Sequence, residues 1–150
     1  VKKIEYTPIG IIHSEFKSPV DTPLQAQLAS GYKGRIELYA EYESALSDLE
    51  TFSHIILIYH FHLSKGYKPV VKPFHSDSPR GVLATRSPNR PNAVGLSVVR
   101  LERIDGRNLY VSNIDVVDGT PLLDIKPFIP TLGRQFGATL GWLADDFAGI

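Results

Sequence analysis

Residues 96–117 read LSVVRLERIDGRNLYVSNIDVV. Two apolar runs, Leu96 to Ile104 and Asn108 to Val117, are joined around Asp105-Gly106. An Asp-Gly dipeptide between alternating apolar runs is a strong signal for a tight antiparallel hairpin. On the second run Asn113 and Asp115 share a face with Leu109, Val111 and Val117. Polar groups amid an apolar face need partners. This edge therefore either binds a ligand or buries a hydrogen-bonded pair that pins a turn.

Upstream lies the strongest strand signal, SHIILIYHFHLS from Ser53 to Ser64. It is apolar on both faces, which predicts a central strand covered on each side. His54, His60 and His62 fall on one face at period two. A His-x-His pair on a strand is a metal-site pattern, but no carboxylate or third ligand follows at a useful spacing. The expectation is no metal, with the histidines packed or hydrogen-bonded at a strand end. Between this strand and the hairpin runs SPRGVLATRSPNRPNAVGLS, Ser78 to Ser97. It predicts a short strand over Val82 to Thr85. A loop stiffened by Pro88 and Pro91 follows, because proline fixes its own φ and restricts the residue before it. Arg86 and Arg90 ride on this loop, which is either a rigid turn or a binding loop.

The remaining elements are smaller. A strand is expected within Ile4 to Phe16, with Pro8 and Gly10 implying an edge or bulge. A long loop with a turn of helix at Leu24 to Ala29 follows, then a strand over Arg35 to Tyr39 and a short acidic helix over Tyr42 to Leu49. Asp118-Gly119-Thr120-Pro121 reads as a sharp turn before a strand over Leu122 to Lys126. Phe136, Leu140, Leu143 and Phe147 have the spacing of an amphipathic tail helix. Six or seven strands with little helix between them predict a mainly β fold, a small mostly antiparallel β-barrel with a few short helices. No G-x-G-x-x-G or G-x-S-x-G motif is present, so neither a Rossmann nucleotide site nor a nucleophile elbow is on offer.

The 150 residues suit one domain with its own core. The organisation expected is a barrel domain over 1–130 and a tail over 131–150. There are no cysteines, which excludes disulfide and thiolate chemistry. Neither a signal segment nor a membrane-length apolar run is evident, and the expectation is a soluble, cytoplasmic protein. Net charge is zero, yet nine lysines and arginines stand against three acids between Lys65 and Arg107, leaving seven cations and thirteen acids elsewhere. Such a dipolar chain can offer a basic field to a polyanion.

ATRSPNRPNAVGLS resembles the signature of the TsaA-like, or TrmO, family of tRNA methyltransferases. The opening IGIIHS from Ile9, SHIILIYHFH from Ser53 and IDVVDGTPLLDIKPFIP from Ile114 to Pro130 agree with it. The resemblance implies a dimeric S-adenosylmethionine-dependent enzyme on a small β-barrel, with the cofactor near the subunit interface. The reaction implied is methylation of the exocyclic nitrogen of threonylcarbamoyl-adenosine beside the anticodon of tRNA. Carried over by position, the cofactor contacts fall on Gln25, Ala26, Gln27, Phe61, His62, Arg86, Leu96, Ser112, Asn113, Ile114 and Asp115. Asp115 is the expected proton acceptor, with Asp118 in reserve, and Arg86 is expected beside it in the catalytic site, either fixing the cofactor's carboxylate or orienting the substrate. Arg80, Arg90, Asn92 and Asp118 are expected to meet the substrate. The competing readings are a methyltransferase of this fold acting on another nucleotide or small molecule, a non-catalytic RNA-binding barrel, and, more distantly, a metal oxygenase.

Overall fold

A computed structural model describes residues 1–22, 31–73, 76–131 and 137–146. In chain order the strands are β1 (Gly10–His13), β2 (Lys33–Leu38), β3 (His54–His60), β4 (Val70–Val71), β5 (Arg80–Gly81), β6 (Val94–Asp105), β7 (Asn108–Ser112) and β8 (Thr120–Pro127). The chain divides into two compact units, Val1–Leu63 with Val94–Phe128, and Ser64–Ala93 with Ile129–Ile150.

The first unit is a closed barrel in the order β1-β2-β7-β6-β3-β8, and every neighbouring pair is antiparallel. The ring closes because β8 pairs with β3 on one side and β1 on the other. Alternate side chains point inward, and Ile12, Ile36, Ile55, Leu57, Val99, Leu109, Val111 and Leu122 form a core closed to solvent. On β3 only Ile55, Leu57 and Tyr59 are buried, while Ile56 and Ile58 stay half-buried on the outside. This corrects the expectation of a strand covered on both faces.

The hairpin between β6 and β7 turns through Gly106-Arg107, since Asp105 pairs with Asn108. The expected turn at Asp105-Gly106 is thus shifted by one residue. Gly106 has φ +60°, which puts positive φ at the first central position, where type II′ turns require glycine. A bulge between Leu101 and Arg103 resets the alternation of β6.

Other expectations change for local reasons. β7 ends at Ser112 rather than Val117, because Asn113 takes φ +63° and leaves the ladder; asparagine is one of the few side chains that tolerate this region. The run Val82–Ala84 is a 3-10 turn and not a strand. Thr85 donates both its N–H and its hydroxyl to the Val82 carbonyl, a local bond that competes with sheet formation. β1 covers only Gly10–His13, with Ile4 and Tyr6 exposed. The acidic segment forms two 3-10 turns, Ala40–Leu46 and Leu49–Thr51, split by Asp48 at φ +73°. In the tail, helix α1 spans only Leu143–Asp146. Gly137 and Gly141 have positive φ before it, a conformation that glycine adopts readily and a continuous helix excludes. Phe136, Phe147 and Leu24 to Ala29 lie outside the described residues. Among those described, no helix is long and apolar enough to cross a membrane.

In the second unit β4 and β5 pair antiparallel. Trp142 donates its indole N–H to the Ala84 carbonyl at 2.7 Å, and the Arg80 guanidinium lies 5.0 Å from the centre of its ring. The tail is therefore held to the Val82–Ala84 turn of the same unit.

Beyond β7 the chain returns to the end of β1. Asp118 N donates to Phe16 O and Gly119 N to Ile12 O. The Asp118 carboxylate accepts from Ser14 N and from Lys17 Nζ, each at 2.9 Å. The Lys17 hydrogen bond holds the Asp118 carboxyl below its ordinary range, against an opposing contribution from partial burial. Nearby, His13 Nε2 donates to Glu37 Oε1 at 3.0 Å, and this bond lowers the Glu37 pKa. A depressed carboxyl stabilises the fold above its unfolded pKa, and that contribution disappears as pH falls through the folded value. Thermal stability should therefore decline once pH drops through and below the ordinary carboxylate range. In melting curves followed by circular dichroism, Asp118→Asn should lower the neutral-pH midpoint by a few degrees and flatten its fall in acid. An unchanged acid limb would remove Asp118 from this role.

Candidate functional site

Antiparallel closure brings the C-terminal ends of β1, β3 and β7 and the N-terminal ends of β2, β6 and β8 to one rim. Most of the first unit's expected site residues lie there. Asp115 sits just past β7, half-buried, and its Oδ1 accepts from Ser97 Oγ at 2.5 Å. Ser97 is buried on β6, and its Oγ is also 2.8 Å from the Tyr59 hydroxyl. Because the single Ser97 proton goes to the carboxylate, the Tyr59 hydroxyl must donate to Ser97. The result is a directional relay, Tyr59 to Ser97 to Asp115, that fixes the carboxylate at the rim.

The aromatic side of the rim is built on the same strands. Phe61 meets Tyr59 edge-on at 5.4 Å between ring centres. Both rings lie over Gly95, where an added Cβ would come within 2.3 Å of Tyr59 and 2.7 Å of Phe61. The absence of a side chain at Gly95 is what lets the pair pack here. Leu96, next to Gly95, points outward and is 46% exposed, leaving an apolar surface on the outer wall at this rim.

His62 is exposed and lies 3.4 Å from Thr120 Oγ1 through Nδ1. The Thr120 hydroxyl donates to Val117 O at 2.6 Å, so His62 Nδ1 is the donor and Nε2 carries the lone pair. Partial desolvation, and then the charge of neighbouring His60, lower the His62 pKa, which favours the neutral ring at pH 7. Among the described residues no group of three or more histidines, acids or cysteines is arranged to hold a metal.

The other first-unit residues are engaged differently. Ser112 donates to Glu102 at 2.6 Å, so its hydroxyl is committed across the β6–β7 ladder. Asn113 accepts from Gly31 N at 3.1 Å, Ile114 is fully buried, and its N–H reaches Tyr32 O. Both oxygens of Asp118 are taken by Ser14 and Lys17.

In the second unit, Arg86 and Asn92 are exposed on the proline-braced loop. Arg90 Nη1 donates to Thr85 O at 2.9 Å and Ser87 O at 3.0 Å. One arm of that guanidinium therefore clamps the loop from inside. Gln25, Ala26 and Gln27 lie outside the described residues.

Sequence reasoning missed Ser97 and Tyr59. The available signal was register: both are polar groups at inward positions of strands that are otherwise apolar on that face. At the opposite rim a groove of about 460 Å³ opens among Tyr42, Leu46, Leu49, Phe52 and Ile125. Its lining includes the acids Asp48 and Asp124 and no lysine or arginine, which is the wrong charge for a polyanion.

The family model of the tRNA-methyltransferase O N-terminal domain matches residues 11–133. A Pyrococcus abyssi protein named "probable S-adenosyl-L-methionine-binding protein" is 49% identical over 138 residues, covering 92% of this chain and 75% of its own length. The Escherichia coli tRNA (adenine(37)-N6)-methyltransferase is 36% identical over 140 residues, 87% of this chain and 60% of that enzyme. The crystal structure of TrmO from Pseudomonas aeruginosa superposes with a TM-score of 0.80 at 38% identity, covering 93% of this chain and 62% of that one. The chain thus spans about three-fifths of these two TrmO-type relatives, and it belongs to the tRNA-methyltransferase O N-terminal domain family.

Proposed function

We propose that this chain transfers a methyl group from S-adenosylmethionine to the exocyclic nitrogen of threonylcarbamoyl-adenosine beside the anticodon of tRNA. The observation that carries the reading is the convergence of Phe61, His62, Leu96 and Asp115 at one barrel rim. The chemistry of these groups fits an adenosyl sulfonium. An anionic carboxylate, an aromatic ring and a neutral imidazole can all face a cation without repulsion, and exposed Leu96 offers apolar surface for a purine. Past Ser112 the turn at Asn113 takes the backbone out of the ladder, leaving Asn113 and Ile114 to contact the cofactor chiefly through the main chain.

When bound, S-adenosylmethionine supplies an already electrophilic methyl group, whose C–S bond breaks as the new C–N bond forms. The protein's task is alignment and proton removal. Asp115, held by Ser97, accepts the proton that the carbamoylated nitrogen loses. Arg86 pairs with the cofactor's carboxylate, to which a planar guanidinium is suited. On the substrate side we assign Asn92 to the modified base, and Arg90, through donors outside its loop clamp, or Arg80 to the threonyl carboxylate. Asp118, with both oxygens occupied, is better read as the latch that holds β1 to the rim than as a substrate contact. A tRNA substrate also implies work in the cytoplasm.

The homodimer is proposed on the outer face of β3 and β6. Ile58 lies opposite Leu96 and Ile56 opposite Val98, and Val94 and Leu96 are 45% and 46% exposed. This stripe of apolar side chains ends at the same rim as Asp115, in keeping with a cofactor held near a subunit boundary.

Incubation with methyl-labelled adenosylmethionine should label tRNA that carries threonylcarbamoyl-adenosine and leave tRNA lacking it unlabelled. Label on neither would defeat the reading, and label on both would move the activity to another nucleotide. Arg86→Ala should raise the calorimetric dissociation constant for adenosylmethionine about tenfold to a hundredfold, as expected for a lost charge-assisted hydrogen bond; unchanged affinity removes Arg86 from the site. Ile58→Glu should convert a dimer to a monomer in sedimentation, whereas an unaltered dimer would place the contact elsewhere.

A further inference from the structure

The segment Lys65–Lys72 belongs to the second unit and has no assigned role. It reads KGYKPVVK, and the internal run Ser64–Ala93 carries six lysines and arginines against one acid, Asp77. Lys65, Tyr67, Lys68, Val70 and Lys72 are all exposed, Tyr67 at 58%. Lys68 and Lys72 flank the two-residue strand β4 on either side, and both are exposed with Val70. Val71 and Arg80, paired across β4 and β5, are less exposed.

This segment is tied to the arginine loop. Lys68 N donates to Asn89 O at 2.9 Å, Lys65 N to Asn89 Oδ1 at 3.3 Å, and Ser64 Oγ to Pro88 O at 2.9 Å. On the other side Val82 N donates to Pro69 O at 2.9 Å. These bonds anchor the main chain at Lys65, Lys68 and Pro69, while the lysine side chains and the Tyr67 ring stay exposed. Asn89 lies between Arg86 and Asn92, so the strap and that loop form one piece within the unit.

We propose that Lys65–Lys72 is an RNA-docking strap that grips the anticodon arm flanking the methylated nucleotide. Its lysines neutralise backbone phosphates and Tyr67 stacks on an unpaired loop base. The inference rests on the tRNA reading above and adds a second contact surface to it. Gly66 takes φ +99° and Pro69 lies at a bend, so the strap is bent, and its three exposed lysines present charge to the phosphates of a folded anticodon arm rather than along one straight strand. A basic run with an exposed aromatic is the combination that holds single-stranded RNA by charge and stacking. The zero net charge of the whole chain hides it.

The test compares the unsubstituted protein with the Lys65→Ala/Lys68→Ala/Lys72→Ala variant in binding a labelled anticodon stem-loop across a salt series. Each lost phosphate contact should flatten the slope of log K against log salt by about 0.7 to 0.9, so the variant's slope should fall by roughly 2 to 3. Tyr67→Ala should weaken binding about tenfold, and Tyr67→Phe should restore it. Adenosylmethionine affinity and the melting midpoint should not move in any of these variants, since exposed side chains rarely matter to stability. An unchanged slope in a protein that still binds and methylates tRNA overturns the strap alone. No binding by the unsubstituted protein removes the tRNA reading and the strap together. Equal competition by polyglutamate would mark the strap as a site for an acidic protein and overturn the RNA assignment.

Discussion

The pairing of β8 with both β1 and β3 is the constraint from which the rest follows. It turns an open antiparallel sheet into a ring, removes the exposed edges, and requires strand ends of opposite sense to meet at each rim. Tyr59 at the end of β3, Ser97 at the start of β6 and Asp115 just past β7 are far apart in sequence. Ring closure makes them neighbours, and hydrogen bonds of 2.8 and 2.5 Å join them in a line.

What happens past β7 depends on one backbone conformation. With Asn113 at φ +63° the chain leaves the ladder, and the following residues cross the rim instead of extending the wall. Ile114 and Val116 then plug the barrel end, while Asp115 between them stays half-exposed. Asp118 and Ser14 complete the crossing by joining this segment to β1. The partial exposure of Asp115 and the burial of its neighbours are two outcomes of the same alternation.

Much of this was legible in the sequence. The Asp-Gly turn and the run SHIILIYHFH announced antiparallel β structure, and the TrmO-like motifs indicated the family. Less legible were features governed by hydrogen bonds that a linear pattern does not display. Val82–Ala84 looks like a strand, but Thr85 captures the Val82 carbonyl. Asn108 to Val117 looks continuous, but Asn113 adopts a left-handed conformation that propensity does not forecast. Asp118 looks catalytic beside Asp115, yet Lys17 and Ser14, about a hundred residues away, occupy it. Arg90 looks like a ligand-facing cation, yet one arm of it holds its own loop. For Asp118 the deciding partners are distant in sequence and for Asn113 it is an unusual φ; for Val82–Ala84 and Arg90 it is a local side-chain bond to the backbone.

The barrel rim bearing Asp115 is the proposed seat of the adenosyl group. Hydrogen–deuterium exchange with and without S-adenosylhomocysteine tests it directly. Slowed exchange should concentrate in peptides covering Tyr59–Leu63, Gly95–Ser97 and Asn113–Val116. Slowed exchange confined to the Tyr42–Phe52 groove at the other rim, or none anywhere, would contradict it.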